Sequence, residues 1–305
     1  MKKILITGSN GLLGQKLVYA LVDNNNAELI ATARGTNRLK RKNGYIFETL
    51  DITNREQVLT LLEKYQPDAV IHTAAMTNVD PCETEREACW NANVNAVEFI
   101  VEACENHNIH LIHLSTDFIF DGEKGEKYAE DDKPNPVSYY GESKLAAEEV
   151  VKRSSCKWAI LRTILVYGIV DDMSRSNIVL WAKGALEKGQ TVNVVDDQFR
   201  SPTLVEDLAQ GCILAVEKEA TGVYNISGKD YMCVIDIVKK VADFYNLDKS
   251  LINRVSSTTL SQPAKRPPRT GFVLDKAMKD LGYNPHSFEE GIAILDKQIG
   301  EKKLG

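Results

Sequence analysis

Short apolar runs alternate with amphipathic segments along the first 165 residues. The apolar runs predict buried strands at 4–6, 29–31, 45–47, 69–71, 110–114 and 159–161. Apolar residues spaced three or four apart predict helices over 12–22, near 85–106 and near 139–152, and a further helix that begins after a cap at Thr53 or Asn54. Continuous apolar strands that alternate with helices are covered on both faces. Because crossovers between parallel strands are right-handed, the pattern predicts a doubly wound parallel sheet.

Beyond residue 165 the pattern becomes less regular. It predicts helices near 176–188, 204–218 and 233–245, and strands at 192–195 and 222–226. Residues 256–272 are rich in Ser, Thr, Pro and Arg and predict an extended loop. No linker separates the two halves. We therefore expect an α/β protein with a doubly wound domain over 1–165 and a smaller mixed α/β lobe over 166–305, which packs on the first domain and does not fold independently.

Composition and charge narrow the classes of partner. The chain has 305 residues, of which 43% are hydrophobic and 26% charged, and its net charge is -6. An acidic surface argues against nucleic acid or an anionic membrane as the main partner, and no apolar stretch approaches the roughly 20 residues that span a bilayer. The six cysteines form no C-x-x-C pair and match no zinc spacing. We expect a cytoplasmic protein without a metal site.

A glycine-rich turn follows the first predicted strand. Gly8, Gly11 and Gly14 stand between that strand and a helix, which is the context that gives such a motif meaning. Glycine lets backbone N–H groups approach a pyrophosphate, and the helix N-terminus adds partial positive charge. The turn therefore predicts that residues 1–165 are a nucleotide-binding Rossmann unit.

The wider Gly8/Gly11/Gly14 spacing resembles that of extended short-chain dehydrogenase/reductases. Further positions share the resemblance: Ser115-Thr116-Asp117 ends strand five, and Tyr140 and Lys144 form a Y-x-x-x-K pair. The resemblance implies an adenine contact at Asp51-Ile52, a cofactor-side turn at Ala74-Ala75 and a structural Asn at Asn93. The cofactor contacts that it implies are Gly8, Asn10, Gly11, Leu12, Leu13, Arg34, Asp51, Ile52, Ala74, Ala75, Thr77, Asn93, Tyr140 and Lys144.

Within that superfamily the chain is most similar to dTDP-4-dehydrorhamnose reductase-like proteins. The similar segments are 74–80, 115–122, 196–203 and Arg266-Pro267. The resemblance implies reduction of a 4-keto group on a nucleotide-linked deoxysugar, with NADH or NADPH as the hydride source. The substrate contacts that it implies are Thr116, Asp117, Tyr140, Arg200, Pro202, Thr203 and Arg266.

Three positions depart from the family pattern. Phe118 replaces a usual Tyr, and Leu165 replaces a usual Trp, so a surface that packs on the sugar has changed. Some members bind magnesium through an acidic residue after the glycine turn, where this chain has Gln15-Lys16. We therefore do not expect that magnesium site in this chain.

The residue types explain how a ketone could be reduced. Tyr140 would give a proton to the developing alkoxide, but an ordinary tyrosine has a pKa of about 10. Lys144 lies four residues on, so a helix places its positive charge on the same face, where it lowers that pKa. Thr116 would orient the carbonyl oxygen, and Asp117 would hold the sugar or relay a proton. Tyr139 is the rival, but its partner at four residues is Ser143, which carries no charge.

The end of the second strand bears on the choice of cofactor. A carboxylate there would bind the ribose 2′-hydroxyl and select NAD. This chain reads Thr32-Ala33-Arg34, with Arg38 nearby and no carboxylate, and Arg34 can pair with a 2′-phosphate. NADPH is therefore favoured over NADH, although NADH stays open because Arg34 and 40–42 could form a solvated loop.

Two other functions stay open. An epimerase or dehydratase of the same superfamily would share the fold, although Phe118 stands where dehydratases carry a Glu. A dinucleotide-binding regulatory subunit is the non-enzymatic alternative, because the β subunit of methionine adenosyltransferase is similar to this family. A homodimer is expected only because two-fold dimers are common.

Overall fold

The computed structural model describes residues 1–172 and 176–304. Its strands are β1 (Lys2–Thr7), β2 (Ala27–Ala33), β3 (Ile46–Thr49), β4 (Ala69–His72), β5 (His110–Thr116), β6 (Trp158–Thr163), β7 (Val166–Tyr167), β8 (Val192–Val195), β9 (Phe199–Arg200), β10 (Thr203–Leu204), β11 (Gly222–Asn225), β12 (Met232–Cys233), β13 (Ile252–Val255) and β14 (Arg269–Thr270). The helices are α1 (Leu12–Asn24), α2 (Arg55–Tyr65), α3 (Val79–Thr84), α4 (Arg86–Trp90), α5 (Ala96–His107), α6 (Tyr139–Arg153), α7 (Ile178–Glu187), α8 (Val205–Glu217), α9 (Val234–Phe244), α10 (Asp275–Leu281) and α11 (Phe288–Leu304).

Seven parallel strands form the central sheet, in the order β11-β6-β5-β4-β1-β2-β3. The predicted doubly wound α/β fold is confirmed. The strand order reverses between β1 and β4, and in such sheets ligands bind at this point, beyond the carboxyl ends of the strands. The reversal therefore places the glycine turn after β1 beside the turn after β4.

Alternating residues of the strands build two cores. Ile4 and Ile6 of β1 face the side covered by α1 and α8. Leu5 faces the opposite side, which α2, α5 and α6 cover. Because successive side chains of a strand point to opposite faces, one apolar run serves both layers.

The predicted helix near 85–106 is divided in the structure. A π-helical turn, Asn91–Asn95, joins α4 to α5 without a break in helical backbone geometry. The turn buries Asn93 beside the site described below. Of the two caps expected for α2, Asn54 is the one observed, because its side chain accepts a hydrogen bond from the Gln57 amide.

The chain beyond residue 165 adds to both parts of the molecule. Strand β11 pairs with β6 in parallel, with Gly222 opposite Ala159, and α8 packs against α1. A third core, with β8 and parts of α7, α9 and α11, forms the smaller lobe. The division at residue 165 stays a prediction, since this segment contributes to the main sheet.

Three further observations concern membranes, metals and thiols. Within residues 1–172 and 176–304, no helix is long and apolar enough to cross a membrane. The same residues contain no group of three or more His, Cys, Asp or Glu side chains arranged to hold a metal ion. All six cysteines are free and buried.

Candidate active site

A long open cleft of about 1510 Å³ runs along the carboxyl ends of the central strands. Most of the residues predicted to act in catalysis or binding line it: Gly8, Asn10, Gly11, Leu12, Leu13, Arg34, Asp51, Ile52, Ala74, Ala75, Thr77, Thr116, Asp117, Tyr140, Lys144, Arg200 and Arg266. Three predicted residues, Asn93, Pro202 and Thr203, lie outside the cleft lining.

The glycine turn leaves no room for side chains. Gly8 has a φ of 73°, and a Cβ there would lie 2.9 Å from the Ala74 nitrogen. A Cβ on Gly14 would lie 2.2 Å from the Gly8 oxygen. Helix α1 begins directly after Gly11, which has no side chain to cap it. The first-turn N–H groups of α1 therefore face an open cradle that suits a phosphate.

Asn10 ties this turn to the loop after β2. Its side-chain amide donates to the Thr36 oxygen at 2.9 Å, and its Oδ1 accepts from the Arg38 amide at 2.9 Å. Arg34 and Arg38 are exposed and both line the cleft. Two cations therefore lie after the end of β2: Arg34, which the sequence predicted as a cofactor contact, and Arg38, which it placed nearby.

The Asp51 side chain shapes the turn after β3. Its Oδ1 accepts from the Thr53 amide at 3.0 Å and from the Thr53 hydroxyl at 2.7 Å. The Asp51 amide donates to Gln57 Oε1 at 3.0 Å. These bonds hold Asp51 and Ile52 at the wall of the cleft near Arg34.

Asn93 lies behind the cleft lining and forms hydrogen bonds with Met76, which is part of that lining. Its Oδ1 accepts from the Met76 amide at 2.8 Å, and its Nδ2 donates to the Met76 oxygen at 3.0 Å and to Ser143 Oγ at 3.0 Å. It thereby fixes the segment after Ala74-Ala75 against α6. The residue is 1% exposed and lies outside the cleft lining, and its predicted contact with the cofactor stays a prediction.

Helix α6 and the end of β5 bring the candidate catalytic side chains together. Ser138 caps α6, accepting from the Gly141 amide. A Cβ on Gly141 would lie 2.2 Å from the Phe118 oxygen, so glycine lets the helix approach the turn after β5. Tyr140 and Thr116 are hydrogen-bonded through their hydroxyls.

Burial controls the charges of this group. It raises the pKa of Tyr140, while the hydrogen bond with Thr116 acts in the opposite direction. Burial also lowers the pKa of Lys144 to about 8, and the negative charge of Glu148 opposes that shift. Lys144 is 4% exposed, with its Nζ 3.5 Å from His113 Nε2. A lysine with this pKa is largely an ammonium at neutral pH.

Asp117 and Arg200 join segments from the two halves of the chain at the wall of the cleft. Asp117 accepts hydrogen bonds from the hydroxyls of Thr116 and Thr270, and Arg200 Nε lies 3.9 Å from its Oδ2. Burial raises the Asp117 pKa, and the Arg200 charge opposes this. The terminal nitrogens of Arg200 donate to the oxygens of Phe199, Pro267 and Pro268, as well as to Gln198. Most of the N–H donors of Arg200 are therefore used in hydrogen bonds within the protein.

Arg266 also has a protein partner. Its two terminal nitrogens bind the two carboxylate oxygens of Asp80 at 3.1 and 2.8 Å. Thr203 lies deeper, donating from Oγ1 to the Ile164 oxygen at 2.6 Å. The Pro202 backbone packs against Gly228, where a Cβ would lie 2.0 Å from the Pro202 oxygen. Pro202 and Thr203 thus hold the segment that joins β9 to β10 behind the cleft wall.

Some cleft residues had no counterpart among the predicted contacts. Arg38, Asn177 and Gln198 line the cleft. Asn177 caps α7 and also donates to the Gly168 oxygen at 2.7 Å. An Asn before an apolar helical run is a cap signal that could have drawn attention to it. Leu165 also lines the cleft, with an unusual φ of 38° for a residue other than glycine.

Comparison with known proteins gives one family and full-length relatives. The family described as RmlD substrate binding domain matches residues 1–299. A dTDP-4-dehydrorhamnose reductase from Aggregatibacter actinomycetemcomitans is 30% identical over 303 residues, covering 96% of this chain and 97% of that protein. Methionine adenosyltransferase 2 subunit beta from Danio rerio is 29% identical over 300 residues, covering 97% and 90%.

A solved structure agrees over the same length. The crystal structure of dTDP-4-dehydrorhamnose reductase from Bacillus anthracis in complex with NADP superposes with a TM-score of 0.84 at 28% identity, covering 97% of this chain and 99% of that one. Each of these relatives therefore matches at least 96% of the chain. On this evidence, the chain belongs to the RmlD substrate binding domain family.

Proposed function

We propose that this protein is an NADPH-dependent reductase of a nucleotide-linked 4-keto-deoxysugar. One observation carries the proposal: Thr116, Tyr140 and Lys144 line the same cleft as the glycine turn. A proton donor and a cation thus share one cavity with a phosphate cradle. The related enzymes from Aggregatibacter actinomycetemcomitans and Bacillus anthracis support the 4-keto sugar as substrate class.

The cofactor proposal rests on the cradle and on charge. Gly8, Gly14 and the start of α1 leave space and N–H donors for a pyrophosphate. Arg34 and Arg38 offer positive charge where a 2′-phosphate would lie. NADPH is accordingly favoured over NADH, and the NADP complex of the Bacillus anthracis relative supports this preference.

The chain's own residues would manage the proton and the carbonyl oxygen. The nicotinamide cofactor supplies the hydride when it is bound. When the substrate binds, the Thr116 hydroxyl would turn its proton from Asp117 to the carbonyl oxygen and orient that oxygen. Tyr140 Oη gives its proton to that oxygen as negative charge develops there. The Lys144 ammonium stabilises the resulting tyrosinate.

The surroundings of this group suit that chemistry. Tyr140 and Lys144 are each less than a tenth exposed, so their electrostatic interaction is screened little by water. Burial raises the pKa of Tyr140 in the structure although Lys144 lies one helical turn away, so the lowered pKa expected from the sequence is not found in the free protein. We therefore propose that Lys144 acts on the tyrosinate as it forms and so favours the proton transfer from Tyr140.

The predicted sugar-nucleotide contacts divide into direct and indirect ones. Asp117 lies at the cleft surface and would hold the sugar, while Arg200 keeps it in place from 3.9 Å. Arg266 would face the diphosphate beside Asp80. Pro202 and Thr203 would act through the loop that they hold. We propose these as roles to be tested by substitution.

The two alternative functions remain distinguishable. An epimerase would convert a nucleotide sugar without net consumption of NADPH. A regulatory subunit would bind dinucleotide without turnover, and the relative from Danio rerio, a methionine adenosyltransferase subunit, is the observation that favours this candidate. The buried Tyr140 and Lys144 favour the reductase.

A substitution at Tyr140 tests the function directly. The purified protein is mixed with NADPH or NADH and a panel of nucleotide-linked 4-ketosugars, and nicotinamide absorbance is followed. We expect Tyr140→Phe to lower kcat by about 10²- to 10⁴-fold, the usual contribution of a general acid. Tyr139→Phe is the matched control, since Tyr139 lies outside the cleft lining, and it should retain activity. Binding of cofactor without turnover on any sugar would contradict the proposal.

Three further proposals concern the oligomeric state, the class of partner and the cellular compartment. A homodimer rests on the frequency of two-fold dimers, and sedimentation analysis would test it. The acidic net charge of -6 supports a role without nucleic acid. The six free cysteines support a reducing compartment such as the cytoplasm.

A further inference from the structure

Three buried polar side chains form a row across the sheet beneath Lys144. Thr7 of β1 pairs in register with His72 of β4, and His72 pairs with His113 of β5. All three are at most 2% exposed. Residues in paired positions of neighbouring strands point to the same face. We call them the Thr7–His72–His113 row.

Hydrogen bonds connect one end of the row to the cleft. The Thr7 hydroxyl accepts from the amides of Thr73 at 3.2 Å and Ala74 at 3.3 Å. It lies 2.8 Å from His72 Nδ1, and its own proton is free to be donated there. The His72 and His113 rings stack at 5.5 Å, with 25° between their planes. At the other end, His113 Nε2 lies 3.5 Å from Lys144 Nζ.

Both imidazoles are neutral at ordinary pH. Burial and the Lys144 charge lower the pKa of His72 to about 3 and hold that of His113 well below its usual range. A neutral imidazole has one donor and one acceptor nitrogen. An ammonium only donates, so His113 Nε2 must be the acceptor, and the ring proton lies on Nδ1.

This arrangement leaves His113 Nδ1 buried without a hydrogen-bond partner among the described residues. An unpaired buried donor destabilises a folded protein, so fold stability does not explain a histidine at this position. A leucine of similar size would fill the space without that cost. The ring stacks on His72 and contacts Lys144, and of these two interactions only the contact with Lys144 uses a ring nitrogen.

We propose that His113 is a positioning residue, whose Nε2 accepts a hydrogen bond from Lys144 and so keeps that side chain charged and in place beside Tyr140. The inference rests on the proposed function of Lys144. The other titratable groups around Lys144 are Glu148 on its own helix and Cys89 on α4, with His72 behind His113. Of the two histidines, His113 is the one that contacts the Lys144 ammonium directly.

The test compares His113→Leu with His113→Gln through the pH dependence of kcat/KM. Loss of the acceptor should lower kcat/KM by about tenfold, in the range of one hydrogen bond to a charged group. It should also move the alkaline decline to lower pH, because the ammonium loses a stabilising partner. The Gln variant, with an amide oxygen that can accept, should recover part of both. Thermal stability of the Leu variant should equal or exceed that of the unaltered protein.

His110→Gln is the matched control. His110 is a buried histidine on the same strand whose Nε2 lies 2.8 Å from the Ala220 oxygen, away from the cleft. We expect it to lower stability and leave the alkaline decline unchanged. An unaltered pH profile in His113→Leu, or the same profile change in His110→Gln, would overturn the inference.

A spectroscopic measurement on the unaltered protein tests the contact between His113 and Lys144 without any variant. The chain has five histidines, so ¹⁵N resonances can be assigned. At neutral pH, His113 should be the neutral tautomer with its proton on Nδ1, and the other tautomer would refute the hydrogen bond. If no 4-ketosugar is reduced, the proposed function fails while this tautomer result still tests the contact between His113 and Lys144.

Discussion

The charge of Lys144 makes the proposed activity depend on pH. Its pKa is lowered to about 8, and the ammonium is the form that assists Tyr140. The charged form predominates below that value and is lost as the pH rises through it. We therefore expect kcat/KM for ketone reduction to fall above about pH 8, because kcat/KM reports the free enzyme.

A guanidinium at the same position supplies the control for this prediction. Lys144→Arg keeps its charge far above pH 8, so whatever activity remains should lose the alkaline decline. Tyr140 cannot produce a decline in this range, since burial raises its pKa. The same decline in the Arg variant would assign it to a different group.

The sequence predicted the members of the catalytic group better than the partners of the binding residues. Tyr140 and Lys144 share a helix, so their proximity follows from local spacing. Arg200 and Arg266 meet carbonyls and carboxylates from distant segments, such as Pro267 and Asp80. No local pattern reveals contacts of that kind, and the same holds for His113 beneath Lys144.

Among the structural elements, the turn into α1 is packed closely around its glycines. A Cβ on Gly14 would lie 2.2 Å from the Gly8 oxygen and 2.6 Å from Ser9 Cα, so the turn would have to move. Overpacking of this kind costs about 1–3 kcal/mol, and we expect Gly14→Ala to weaken NADPH binding about tenfold or more. Fluorescence titration with NADPH measures the change.

Gly184→Ala serves as the control for the turn. Gly184 lies inside α7, and an added Cβ there would meet no heavy atom within 4 Å. Alanine in a helix interior should raise stability by about 0.5–1 kcal/mol and leave NADPH affinity unchanged. Equal affinity for NADPH in the Gly14→Ala and Gly184→Ala variants would contradict the proposal that the turn into α1 holds the cofactor's phosphates.

A buried ion pair fastens α6 to β6. Arg162 binds both carboxylate oxygens of Glu148 at 2.9 and 2.8 Å, and neither residue is more than 2% exposed. Arg162→Met would leave Glu148 buried without its main partner, which typically costs about 3–5 kcal/mol. Urea unfolding should show a loss of that size.

An exposed ion pair gives the comparison for α6. Lys157→Met removes a partner of Glu219 at the surface, and we expect the free energy of unfolding to stay nearly unchanged. If Arg162→Met were equally mild, Glu148 would have to be solvated or protonated in the variant. In that case the ion pair would not be what fastens α6.

Elements with strong local patterns were predictable, and those defined by distant pairing were not. The strands at 4–6, 29–31 and 69–71 lie within β1, β2 and β4, because a fully buried strand has a continuous apolar run. The π-helical turn Asn91–Asn95 was not predicted, because apolar spacing does not distinguish it from an α-helix. The two-residue strands are too short to leave a periodic signal.

At the scale of the whole molecule, the two halves of the chain depend on each other. The apolar run at 222–226 predicted a strand, but its pairing with β6 joins segments 63 positions apart, such as Gly222 and Ala159. Asp117 contacts Arg200 and Thr270 from the second half of the chain. Residues from both halves of the chain therefore line the cleft.

The central claim is that hydride passes from NADPH to the carbonyl carbon of a nucleotide-linked 4-ketosugar, with Tyr140 as the proton donor. The most direct measurement uses NADPH deuterated at the transferred position and follows the sugar product by NMR. The account predicts one deuterium on the new carbinol carbon of the product, which the unaltered protein and Tyr139→Phe should form at similar rates and Tyr140→Phe about 10²- to 10⁴-fold more slowly. Conversion of the sugar without deuterium, or cofactor binding with no sugar product, would contradict it.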